Sequence, residues 1–143
     1  MKVIINICVV LVISLLSISV HSEGLPRSES PEGATVYFIE PVDGATVSSP
    51  VKVVFGLKGM GVAPAGIEKA KTGHHHLLID VETIDMNLPI GKDDQHRHFG
   101  GGQTESSIEL STGEHTLQLL MADHLHIPHN PPVISEKITI TVE

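Results

Sequence analysis

The sequence predicts an all-β protein built as one antiparallel β-sandwich, and three observations predict it. Between Ala34 and Val142 the chain breaks into about six or seven short runs of β-forming residues, each closed by Gly, Pro or Asp-Gly turn chemistry. Several runs alternate apolar and polar residues with a period of two, and no amphipathic helix of useful length interrupts them. The chain has 143 residues, which leaves room for a single domain with a real core.

The elements follow in order. Residues 1–22 are expected to be a secretory signal peptide: Lys2 precedes an apolar run over 3–20, and Val20-His21-Ser22 fits a small-residue cleavage site before Glu23. Cys8 is the single cysteine and lies inside that run, so the exported chain is expected to carry no disulfide. Residues 23–33, with Pro26, Pro31 and several Ser and Glu, are expected to form a flexible leader. The domain then spans 34–143. Its first strand is Thr-Val-Tyr-Phe-Ile-Glu, stopped by Pro41-Val42-Asp43-Gly44. Its second, over 51–57, sets Val51, Val53 and Phe55 against Lys52 and Val54.

A glycine-rich loop holding Met60 leads to Gly73-His74-His75-His76-Leu77-Leu78-Ile79-Asp80. Strand alternation puts His74, His76, Leu78 and Asp80 on one face and His75, Leu77 and Ile79 on the other. The polar connection over 82–94 has room for a short edge strand. His96-Arg97-His98-Phe99 and three consecutive glycines follow, the glycines marking either a hinge or a close backbone approach. A short strand over 106–110 turns at Thr112-Gly113 into the best alternation in the chain: His115, Leu117, Leu119 and Met121 on one face, Thr116, Gln118, Leu120 and Ala122 on the other. That run is expected to be a central strand. The loop through His124, His126 and His129 is braked by prolines, and a last strand is expected over 133–142.

This spacing suggests the immunoglobulin-like plan without its Cys and Trp hallmarks. Under that plan the triple-histidine strand pairs antiparallel with the 115–123 strand. The second strand's exit loop, the start of the histidine strand and the loop after Asp123 then share one rim. His74, His75, His76, His96, His98, His124, His126 and His129 are all expected there, with His115 at the far end. Ligands gathered from separate segments are what a metal site requires. The expected core is Val53, Phe55, Leu77, Ile79, Leu117, Leu119 and Met121.

Without Lys2 the exported chain has eight basic residues against 17 acidic ones, a balance of about −9 that disfavours nucleic acid and anionic membranes. Aromatic residues are 3% of the chain and Trp is absent, so no base-stacking or sugar-stacking platform is visible.

Several segments resemble the DUF4399 family of secreted bacterial domains in order and spacing. They are Glu40-Pro41-Val42-Asp43-Gly44-Ala45-Thr46-Val47, the stretches 55–66 and 73–80, and the stretches 98–105 and 113–132. The resemblance covers roughly Ala34 to Val142 and implies an exported bacterial domain, with no reaction attached. A slighter likeness, through Pro41-Val42-Asp43-Gly44-Ala45-Thr46-Val47 and the sandwich plan, is to CopC-type periplasmic copper carriers. Those proteins use an N-terminal histidine as a copper ligand, whereas the expected mature N-terminus here is Glu23.

Imidazoles with carboxylates and no thiolate suit copper(II), zinc(II) or nickel(II), and Met60 is the one methionine placed to add a thioether. His74, His76 and His124 are the first candidate ligands, because facing strands bring their outward side chains together. His98, His126 and His129 come next, with Asp123 as a carboxylate orienting a ligand ring. The expected function is therefore an exported, periplasmic or secreted, non-enzymatic metal-binding protein for copper or zinc. Its binding should weaken as pH falls through roughly 6, where an unperturbed histidine protonates. The competing readings are an adhesion or partner-binding module of the cell envelope and a metal-dependent hydrolase.

Overall fold

The computed structural model describes residues 25–143, so the expected signal segment lies outside the described residues. Nine strands and no helix are found among them: β1 (Thr35–Glu40), β2 (Thr46–Val47), β3 (Val51–Lys58), β4 (Gly61–Val62), β5 (Thr72–Ile79), β6 (His96–His98), β7 (Glu105–Ile108), β8 (Gly113–Ala122) and β9 (Ile138–Val142). They form a sandwich of two sheets. One sheet has the order β1-β3-β7, and the other the order β2-β9-β8-β5-β4 with β6 also paired to β5. All pairs are antiparallel except β2 with β9 and β4 with β5.

The expected core assembles where alternation placed it. Val53, Phe55, Leu77, Ile79, Leu117, Leu119 and Met121 are buried between the sheets, joined by Val36, Val51, Ile140 and Val142. Each fully buried Leu or Ile contributes about 1.5–3 kcal/mol. The six-stranded sheet is covered on its other face as well. There Leu78, Leu120 and Ala122 pack under Ile90, with Val81, Ile84, Met86 and Ile134 at the margin. Strand β5 is therefore buried on both faces, and all three of its histidines are inside the protein.

Three expectations need correction. The leader is not a loose tether where it is described: Arg27 and Ser28 hydrogen-bond to the 123–129 loop, and Glu29 bridges to Asn130. The last strand starts at Ile138 rather than at residue 133, because 133–135 make only an isolated bridge and scattered bonds against β8. The connection over 82–94 contains no strand; the edge position beside β5 goes to β6, which supplies His96 and His98.

Candidate metal centre

The register of β5 explains which histidines meet. His74 lies opposite Ala122 of β8, and His76 opposite Leu120 of β8 and His98 of β6. Directly opposed residues share a face, so His76 and His98 project together from the outer face of the sheet, with His74 two residues along. The fourth ring arrives from a loop. Strand β8 ends at Ala122, the chain turns through Asp123, and His126 adopts a positive φ of 67°. That turn lays the His126 ring against His98.

The four rings form one group. Ring centroids of His74, His76, His98 and His126 are separated by 4.6–5.9 Å over all six pairs. His74 Nε2 lies 3.0 Å from His76 Nε2, and His98 Nε2 lies 3.0 Å from His126 Nε2. Ligand atoms of His74, His76 and His98 all fall within 4.8 Å of one another, and His126 stands outside that trio, joined to it through His98. A tetrahedral centre with nitrogens about 2.0–2.1 Å from the ion has edges of about 3.3 Å, so the two close pairs match its scale.

Electrostatics favour the neutral form of His74, His76 and His98. Burial, then the facing His98 and His126, lowers the pKa of His74 from 6.5 to about 4. Burial, then His74, His98 and His126, takes His76 to about 2, and burial and His126 lower His98 as well. A proton on any ring is repelled by the next, while neutral imidazole is the form that donates a lone pair to a metal. The Nδ1 atoms of His74 and His76 are buried and make no protein hydrogen bond. One hydrogen bond serves each close Nε2 pair, whereas a cation accepts all the facing Nε2 lone pairs at once; the buried Nδ1 atoms stay unpartnered either way.

The other expected ligands are elsewhere. His124 does not join the group. The alternation that promised it stops at Ala122, its backbone carbonyl accepts from Gly66 at 3.0 Å, and it lines a separate surface cleft with Asp123 and His129. His129 is buried, with Nε2 3.1 Å from the Thr72 carbonyl oxygen, and ties the start of β5 to the loop. Gly73 is required beneath it, since a Cβ there would lie 2.7 Å from the His129 ring. His96 turns to Asp93, 2.8 Å from its Nδ1. His75 points the other way, between the sheets and 5.0 Å from Phe55, with neither ring nitrogen in a well-formed hydrogen bond, and burial lowers its pKa to about 4 against a smaller opposing pull from the Gln103 backbone. Met60 packs against the inter-sheet core.

Asp123 orients the loop rather than a ring. Its Oδ1 accepts from the amides of Leu125 at 2.9 Å and Ile127 at 3.1 Å, and its Oδ2 accepts from Ser28 Oγ at 2.7 Å. Burial opposes ionisation of this carboxyl, but the bonds from Ser28, Ile127 and Leu125 outweigh it and hold the pKa below the usual value. A further contributor is Gly100: a Cβ at that position would sit 2.2 Å from the His98 ring. The glycine run is thus a close approach at its first residue, the second of the two roles its sequence allowed.

Residues 53–143 match a family described as a domain of unknown function, DUF4399. No curated protein matches the chain. Among solved structures, the endo-beta-1,4-mannanase from Thermotoga petrophila is similar at 18% identity with a TM-score of 0.44, over 77% of this chain and 20% of that one. The chain spans about a fifth of the length of that enzyme, and nothing of the enzyme's activity transfers at this level of similarity. Neither comparison carries the likeness to copper carriers.

Proposed function

The chain belongs to the DUF4399 family, and we propose that it is an exported, non-enzymatic binding protein for a divalent transition metal, copper or zinc, held by His74, His76, His98 and His126. The observation that carries this reading is the convergence of four imidazoles, two pairs of them with Nε2 atoms 3.0 Å apart, from three separate segments of the chain. No carboxylate or thiolate belongs to the group, so the donor set suits copper(II) or zinc(II) and not calcium or magnesium. A set of four protein ligands fills a tetrahedral ion and leaves no position for substrate water, which is the pattern of structural and carrier sites rather than catalytic ones. Export to the periplasm or beyond is motivated by the N-terminal charge, apolar run and cleavage pattern.

The pH expectation shifts with this geometry. His74 and His76 do not compete for protons near pH 6, because their pKa values lie at about 4 and about 2. Metal release is therefore expected well below the window that free histidine would give.

The test is elemental analysis of the purified, tag-free 23–143 chain, followed by calorimetric titration with copper(II) and zinc(II) at pH 7.5. One equivalent bound at micromolar affinity or better supports the reading. No uptake of either ion overturns it and leaves the group as a hydrogen-bonded histidine stack.

A further inference from the structure

Three of the four rings need no help to stay in place. His74 and His76 stand on a strand hydrogen-bonded to β8, and His98 stands on β6, which is laddered to β5. His126 is different. It sits in a four-residue turn with φ in the left-handed region, a conformation that costs a side-chain-bearing residue about 1 kcal/mol or more unless its surroundings enforce it. Leu125 on one side of it is 53% exposed, while on the other Ile127 is fully buried and the Ile90 amide donates to the His126 carbonyl at 2.8 Å, so local contacts anchor the exit of the turn and leave its entry to be fixed from elsewhere.

The rest of its anchorage lies about a hundred residues away. The turn closes on Asp123, whose backbone carbonyl accepts from His126 at 2.9 Å and whose Oδ1 accepts from Leu125 and Ile127. Ser28 fixes the other carboxylate oxygen. On the far side of the turn, Arg27 Nε donates to the Pro128 carbonyl at 2.9 Å, and its guanidinium donates also to the carbonyl of His129. Asn130 then exchanges backbone bonds with Ser28 at 2.9 Å and with Ser30 at 3.1 Å. Residues 27–30 therefore bracket the His126 turn from both ends.

We propose that residues 27–30 are a strap that positions His126, so that the strap sets whether the centre presents four ligands or three. This rests on the reading of the histidine group as a metal centre. With the strap docked, the ion is enclosed by four imidazoles. With it released, the three sheet-borne rings remain and one coordination position opens to water or to an incoming ligand. Because docking and four-ligand binding favour the same state, the coupling is reciprocal: bound metal holds the strap down. Arg27 and Ser28 are positioning residues that never touch the ion.

The experiment compares the tag-free 23–143 chain with its Arg27→Ala/Ser28→Ala variant, each with and without His126→Ala, by calorimetry with zinc(II) and by the visible spectrum with cobalt(II). The double change is expected to weaken zinc binding about 10–100-fold, the usual effect of removing a group that orients a ligand. It should also lower the intense four-coordinate cobalt absorption toward that of the His126→Ala protein. In the His126→Ala background the same change should cost nothing further, which a general loss of stability would not reproduce. Ser28→Ala alone, the milder change, keeps the test available if the double variant folds poorly. Unchanged affinity and spectrum in the strap variants overturn the strap while leaving the metal centre intact, as does a cost that persists without His126. A parent chain that binds neither ion overturns both readings.

Discussion

His76 and His115 stand on adjacent strands of one sheet, and the sheet holds the first as a neutral base while preparing the second to carry a charge. His76 is fully buried, faces other imidazoles, and its pKa falls to about 2. His115, toward the opposite end of the strand pair, has Nδ1 2.7 Å from Asp80 Oδ2 and Nε2 3.0 Å from the Ser111 carbonyl oxygen. Asp80 and the Ser111 carbonyl are acceptors, the arrangement an imidazolium satisfies, and the bond His115 donates to Asp80 raises its pKa. The difference teaches that the count of histidines says little about chemistry. What matters is whether each ring nitrogen faces an acceptor, which invites a proton, or another lone pair, which invites a metal.

The largest effect that tests this contrast is on affinity. Structural zinc sites in zinc-finger peptides bind with roughly 10–16 kcal/mol over four ligands, so removing two imidazoles by His74→Ala with His76→Ala should weaken metal binding by about 10³-fold. His115→Ala should leave it unchanged. Calorimetry on the two variants reads the comparison directly, and equal losses would break it.

Acid separates the two ends next. His74, His75 and His76 have folded pKa values below the unfolded 6.5, so the stability they contribute is present above 6.5 and is lost as pH falls toward about 4, and toward about 2 for His76. A tenfold change in proton affinity corresponds to about 1.4 kcal/mol, so the metal-free protein should lose roughly 2 kcal/mol or more between pH 7 and pH 5 in urea unfolding. His115 has the opposite sign: its contribution is full below 6.5 and fades as pH rises through its raised pKa.

Gly100→Ala sharpens the comparison at the four-imidazole end. The new methyl must displace the His98 ring, and affinity should fall about 10–100-fold with little change in the far-ultraviolet dichroism. A smaller gain is expected at the inter-sheet face of the same strand. His75→Leu removes two buried, unpartnered nitrogens and should raise stability by about 1 kcal/mol while sparing metal affinity. Smallest of all, His115→Ala should cost under about 1 kcal/mol at pH 6, because Asp80 is partly exposed and solvent screens the pair.

The period-two pattern was enough to locate the long strands β1, β3, β5 and β8 and the inter-sheet core, because a face buried in a sheet leaves an alternation that can be read without the partner; the pairing of β5 with β8 needed the sandwich plan as well, and the short strands β2, β4 and β6 left no such mark. It also separated His75 from His74 and His76. The membership of the centre was decided by tertiary structure. His124 continues the alternation of β8 on paper, but the strand ends at Ala122 and Asp123 folds the chain into a turn that carries His126, not His124, to His98. That turn is bonded to Ser28 and flanked by the Arg27 bonds, both far away in sequence and in a segment whose polar composition reads as loose. Local sequence records which residues a strand can bury. Which loop is held over that strand depends on bonds between segments that nothing in either segment announces, and those bonds brought the fourth imidazole to the group.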